Sequence, residues 1–198
     1  MTADSVTRDN APIRVDLPAS PEALAALRLG DAVRLFGDVF TARDAGHERL
    51  AAALEREGEL PFGLAGQVLF YAGPTPATPG YPAGSVGPTT AHRMDSVTPS
   101  LLRAGIVATI GKGSRSREVR AAFAETGAVY FAAVGGAAAL LGRHVIAAAP
   151  VAWPELGTEA LVRLTLDDFP AFVAIDVLGG DLYETAPRSW RSGGEGRS

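Results

Sequence analysis

Gly87-Pro88-Thr89-Thr90-Ala91-His92-Arg93-Met94-Asp95 and Gly111-Lys112-Gly113-Ser114-Arg115-Ser116-Arg117 are two polar, glycine-punctuated segments on either side of an apolar run. Thr89 or Thr90 reads as the cap of a helix running to about Arg103, with Pro99 as a point of interruption. Ile106 to Ile110 is β-branched and reads as a strand. Gly111 to Ser114 is then a turn, and Arg117 to Glu125 a helix. Strands alternating with helices across glycine turns indicate an α/β domain. Lys112 is the only lysine, against seventeen arginines. An ammonium is a compact charge with an adjustable pKa, whereas guanidinium is a planar fork that stays charged. Lys112 is therefore the first candidate for chemistry.

Upstream, Ile13 to Leu17 alternates as a strand, and Ser20-Pro21-Glu22 opens a short helix with a cap, a first-turn proline and an acid. Ala32 to Thr41 fits either a hairpin broken at Gly37-Asp38 or one bulged strand. A helix follows to Gly58, with Arg43 and Asp44 at the strand-to-helix junction. Such junctions present ligand groups in open α/β sheets, and a local cap with an ion pair is the alternative use of the two residues. Gly66 to Ala72 is a buried-type strand. It leads into a proline-rich loop, Gly73 to Pro82, read as a wall or lid. Downstream, Ala128 to Val134, Val145 to Val151, Leu161 to Leu166 and Ala171 to Val177 read as strands, the last two separated by Phe169-Pro170. Consecutive late strands point to a mixed, partly antiparallel sheet flanked by helices. Residues 1–11 and the tail 185–198 are expected to be disordered, leaving residues 12–184 as one domain.

The chain has 198 residues, 47% hydrophobic and 20% charged, which suits a packed core. Its net charge of -4 is uneven: residues 87–120 carry six Lys/Arg and two acids. An acidic chain with one basic stretch suits a small anion better than a nucleic acid. The absence of cysteine excludes disulfides, thiol nucleophiles and any thiolate-bound metal held by this chain alone. No segment reads as a signal peptide or membrane span, so a cytoplasmic protein is expected.

Gly111-Lys112 fails as a phosphate-binding P-loop, because Ile106 stands where a glycine is needed and Gly113 where Ser or Thr is needed. A glycine turn before a helix still presents backbone N–H groups to an anion. On a helix begun at the threonines, Thr89 and Arg93 would face the same way, making a carboxylate-binding wall with Lys112. A threonine cap beside a surface arginine is the plainer reading of the same spacing. His47 and His92 are candidate acid–base groups, and His144 reads as structural. Arg115 to Arg120 read as a solvated helix face.

Gly87 to Asp95 resembles the signature of the C-terminal domain of class I (iron–sulfur) fumarases, which also occurs as the β subunit of two-subunit fumarases and L-tartrate dehydratases. Arg43-Asp44-Ala45-Gly46-His47, Lys112-Gly113-Ser114-Arg115-Ser116 and Pro154-Glu155-Leu156-Gly157 are similar to further motifs of that family, and Gly73-Pro74 with Pro79-Gly80 also fits. The motifs keep their order and approximate spacing from about residue 12 to 184. The resemblance implies a swivelling β/β/α fold and a [4Fe-4S] cluster ligated by an α subunit and not by this chain, in a homodimer or α2β2 assembly. It implies reversible hydration of fumarate to (S)-malate, with L-tartrate dehydration as the nearest alternative. A non-catalytic dicarboxylate-binding module is the alternative from another class. Carried over, Arg43, Arg93 and Lys112 bind the substrate carboxylates, Thr89 is the candidate base with Lys112 beside it, and Asp44 and His47 orient Arg43. Gly135-Gly136-Ala137-Ala138 departs from the family's Gly-Gly-Pro-Ala, a change that removes no polar group.

Overall fold

A computed structural model describes residues 11–192. Seven strands are present among them: β1 (Ile13–Leu17), β2 (Ala32–Thr41), β3 (Val68–Phe70), β4 (Ala108–Gly111), β5 (Val129–Ala132), β6 (Val145–Ala152) and β7 (Leu161–Ile175). The helices are α1 (Pro21–Ala26), α2 (Asp44–Glu57), α3 (Thr98–Arg103), α4 (Arg117–Thr126), α5 (Ala138–Leu141) and α6 (Leu182–Ser192). The sheet is mixed, as expected. β1, β3, β4 and β5 enter parallel pairings, and β7 runs antiparallel to β2, β5 and β6.

These pairings close on themselves. β2 pairs with β3, β3 with β4, β4 with β5, β5 with β7, and β7 again with β2. Side chains alternate across a strand, so each member of the circuit has an inner and an outer set. Val68, Phe70, Ala108, Ile110, Val129 and Phe131 point inward with Val39, Phe169 and Val173. Leu69, Tyr71 and Tyr130 point outward against Leu50 of α2, Leu101 and Leu102 of α3 and Phe123 of α4. Strand layer, strand layer and helix layer thus enclose two apolar cores.

Capping explains where the helices begin and end. Ser20 accepts the Ala23 N–H at the start of α1, and Ser116 accepts the Val119 N–H at the start of α4. Left-handed Gly58 and Gly127 close α2 and α4. α2 starts at Arg43 without a side-chain cap of its own; Glu159, far along the chain, accepts the Ala45 N–H at 2.8 Å instead.

Of the two readings of residues 32–41 the bulged strand holds: they form one strand with a register irregularity between Leu35 and Gly37. Other expectations are corrected. A single helix does not run from the threonines to Arg103. Pro88 and Thr90 form bridges to Ala72 and Lys112, Ala91–Met94 is one tight 3-10 turn, and α3 begins only at Thr98 with Pro99 in its first turn. The two late strands expected around Phe169-Pro170 are one strand, β7. Its outer edge pairs with β6 through Leu166 and with β5 from Phe172, so Pro170 falls where that edge has no partner and its missing N–H costs no ladder bond there. Residues 185–192 continue α6, where disorder was expected. The disorder expected for residues 1–10 and for the tail from residue 193 concerns positions outside the described residues.

Candidate functional site

The parallel strands deliver their following segments to one end of the sheet, the end where ligands bind in open α/β folds. Arg43 follows β2, Gly73 follows β3, Lys112 follows β4, and Gly135 follows β5. Backbone bonds stitch these segments together. Thr89 N–H donates to Tyr71 O at 2.6 Å, Lys112 N–H donates to Thr89 O at 3.2 Å, and Ala91 N–H donates to Lys112 O at 2.8 Å. Thr89 is therefore held in extended backbone between the ends of β3 and β4, and its neighbour Thr90 bridges Lys112. Thr89 and Arg93 do not share one face of a helix, as the sequence spacing suggested: the Thr90 bridge and a 3-10 turn lie between them.

Among the described residues, Lys112 has no carboxylate within ion-pair distance, and the Thr89 hydroxyl has no hydrogen-bond partner. The lysine stem runs over Gly135: a Cβ there would sit 3.2 Å from Lys112 Cδ and 3.6 Å from Nζ. Arg43 is threaded just as closely past Gly73, where an added Cβ would meet Nη1 at 2.7 Å. Its Nη2 lies 3.7 Å from Glu159 Oε1, and its Nε is buried without a partner. Arg93 is half exposed, at 52%, with Nη2 2.7 Å from Asp44 Oδ2. That contact is an ion pair without an aligned N–H, since Asp44 Oδ2 accepts no hydrogen bond. Asp44 thus braces Arg93 and not Arg43.

His47 acts on Arg43 through the backbone. Its Nδ1 lies 3.0 Å from Arg43 O, which fixes Nδ1 as the protonated nitrogen, and its ring meets Tyr71 edge-on at 5.0 Å. Burial pushes the imidazole pKa down to about 4, outweighing the favourable Arg43 carbonyl, and the nearby Arg115 charge adds to the depression. His47 is accordingly neutral near pH 7, with an unpartnered Nε2. It is poorly placed to be an exposed acid–base group. His92 is exposed and pairs through Nδ1 with Asp95 Oδ2 at 2.9 Å.

Arg115 is where sequence reasoning failed most clearly. Its side chain is 0% exposed, not part of a solvated face. Nε donates to Asp95 Oδ1 at 2.7 Å, Nη2 to Thr98 Oγ1 at 2.8 Å, and Nη1 to Tyr71 Oη at 3.3 Å. The Tyr71 and Tyr130 rings flank it, each with its centroid 5.2 Å from the guanidinium carbon. Burial opposes its charge, but Tyr71 and Asp95 more than compensate and raise its pKa. Asp95 also accepts the Ser116 N–H at 2.6 Å, and Tyr130 Oη donates to Gly113 O at 3.0 Å. Asp95, Tyr71, Thr98 and Glu159 were all missed as supports of the site. Only Asp95 had a signal, lying inside the quoted motif.

The face therefore presents three cations, Arg43, Arg93 and Lys112, with Asp44 and Glu159 offsetting two of them. Among the described residues no carboxylate offsets the third, Lys112, whose backbone N–H donates to the Thr89 carbonyl. This arrangement suits a carboxylate ligand whose further charge is met from elsewhere.

This chain is similar in sequence to known proteins. The Fumarase C-terminus family matches residues 2–186. The anaerobic class I fumarate hydratase of Escherichia coli is 39% identical over 152 residues, covering 76% of this chain and 28% of that protein. Fumarate hydratase 2 of Leishmania major is 37% identical over 164 residues, covering 82% of this chain and 29% of that protein. A Methanocaldococcus jannaschii protein described as an L(+)-tartrate dehydratase subunit beta is 37% identical, covering 80% of this chain and 84% of its own length. The chain spans less than a third of the length of the two fumarate hydratases. With nearly its whole length matched, the chain belongs to the Fumarase C-terminus family.

Proposed function

We propose that this chain is the β part of a two-component hydro-lyase that interconverts fumarate and (S)-malate. What supports this reading most is that Arg43, Lys112 and the Thr89 backbone stand where parallel strands end, that Arg93 is tied to the same end through Asp44, and that among the described residues no carboxylate pairs with Lys112. Arg43, Arg93 and Lys112 bind the two carboxylates and fix the substrate over Thr89. Dehydration of malate breaks one C–H and one C–O bond. The Thr89 oxygen takes the proton from the carbon next to a carboxylate, and the same oxygen returns it on hydration. A hydroxyl is a weak base, so it works only where neighbouring cations stabilise its anionic form; Lys112 and Arg93 have that role. His47 and Asp44 hold Arg43 and Arg93 in place.

The iron–sulfur cluster implied by the family resemblance does not fit this chain's residues. The chain has no cysteine, and among the described residues no group of three His, Asp or Glu is arranged to hold a metal. The cluster is therefore assigned to an α subunit, which also handles the leaving hydroxyl. The similarity to a tartrate dehydratase subunit beta over 84% of its length supports a separate-subunit arrangement and keeps tartrate as the second substrate.

Co-expression with a three-cysteine α subunit from the same genome, anaerobic reconstitution and a panel of fumarate, malate and tartrate test the proposal. Malate–fumarate turnover by the pair and none by this chain alone is the expected result. Substantial turnover by the isolated chain refutes the two-component reading. Tight dicarboxylate binding by the isolated chain, with no turnover in any pairing, favours a sensing module instead.

A further inference from the structure

A charge is costly to bury unless it is paired and fully hydrogen-bonded, yet Arg115 is buried in the helix-side core directly beneath the candidate site. Its three donors reach two other segments: Tyr71 at the end of β3, and the turn-to-helix run that carries Arg93, which it meets at Asp95 and again at Thr98. Arg115 itself belongs to the segment that carries Lys112. Two of these segments are pinned to each other twice. At one end the backbones of Thr89 and Ala91 bond to Lys112. At the other, one Asp95 carboxylate takes the Arg115 guanidinium on Oδ1 and the Ser116 N–H on Oδ2. Tyr71 closes the arrangement, because its carbonyl holds Thr89 while its hydroxyl meets Arg115.

We propose that Arg115 is a positioning residue: its buried three-way guanidinium contact sets the spacing of Lys112 and Thr89 so that both meet one bound anion. The inference deepens the proposed function and rests on it for the catalytic consequence alone. A lysine would retain the charge but not the fork that reaches three acceptors in different directions.

The test uses the full chain labelled with 13C,15N-lysine, in which Lys112 supplies the only lysine signals of the wild type and of Tyr71→Phe; in the Arg→Lys variants, which add a second lysine, a 13C-carbonyl glycine label picks out Lys112 through its bond to Gly111. The same variants are reconstituted with the α subunit. Arg115→Lys is expected to shift the Lys112 backbone and Nζ signals in a chain of unchanged circular dichroism, and to lower kcat/KM by about 100-fold. Tyr71→Phe removes one acceptor, keeps the ring and is the second variant; a smaller shift and a several-fold loss are expected. Arg103→Lys, at the exposed pair with Glu125, is expected to change neither. A folded Arg115→Lys chain with wild-type Lys112 signals overturns the proposal, as does wild-type kcat/KM in its complex. If Arg115→Lys fails to fold, unchanged Lys112 signals in Tyr71→Phe overturn it instead. A wild-type complex with no hydro-lyase activity refutes the proposed function and leaves the lysine signals to decide this inference.

Discussion

Acidifying the protein from pH 7 to pH 4 forces a proton onto His47, which the fold keeps neutral. The folded pKa is about 4 and the ordinary value 6.5, with burial as the main cause. Between these values the unfolded chain binds more protons than the folded one, so stability is intact above about pH 6.5 and falls as pH drops towards 4. For this single group the loss is about 2 kcal/mol at pH 5 and about 3 kcal/mol at pH 4. Carboxylates titrate over part of the same range, including Asp181, whose pKa burial raises. The quantity to measure is therefore the difference between wild type and His47→Asn, which keeps a donor near Arg43 O but cannot titrate. Urea unfolding at several pH values gives it. With an m-value of about 2 kcal/mol/M, the wild-type midpoint should fall by about 1 M more than the variant's between pH 7 and pH 5. Parallel profiles for the two proteins would refute the reasoning. So would a His47 ring signal titrating near pH 6.5 in the folded protein.

Lys112→Arg should abolish turnover of the reconstituted enzyme while leaving the urea midpoint of the chain unchanged, because a planar guanidinium fork cannot stand in for a compact ammonium. Gly135→Ala separates stability from function. The added methyl presses on the Lys112 stem at 3.2 Å, and moving the ammonium from about 2.8 to 3.2 Å from a carboxylate costs about 0.7 kcal/mol at an effective dielectric near 20. A roughly threefold rise in KM with an unchanged thermal midpoint is expected. Gly37→Ala attacks the sheet instead. Gly37 has φ +107, and a Cβ there would lie 2.2 Å from Leu17 O, so the β1–β2 pairing must open; a destabilisation of more than about 2 kcal/mol by urea titration is expected.

Local pattern revealed those parts of the structure whose causes are local. The apolar runs at 13–17, 68–70 and 145–152 are strands, and Ser20 caps the helix that its Ser-Pro-Glu sequence announces. Lys112 stood out by composition, and Arg43 by its place at the end of a strand. Partnership between distant residues left no such trace. Glu159 supplies the cap of α2 from more than a hundred residues away, and nothing beside either segment signals it. Arg115 looked solvated because it precedes a helix with charged neighbours; its acceptors Tyr71, Asp95 and Thr98 come together only in the fold. Phe169-Pro170 reads in the sequence as a break between two strands. Pro170 is tolerated because the neighbouring strands divide one edge of β7 between them, a matter of sheet topology rather than of residue preference.

The closed strand circuit sets a schedule for the nascent chain. β2 leaves the ribosome early, but β7, which seals both β2 and β5, follows more than a hundred residues later. At about 5–20 residues per second that is an interval of roughly ten seconds. Throughout it β2, and near its end β5 as well, expose backbone donors and acceptors along apolar edges, the arrangement that recruits other growing chains. Substitutions that slow the docking of β7 should thus reduce the yield of soluble protein during synthesis, even where the finished molecule is as stable as the wild type.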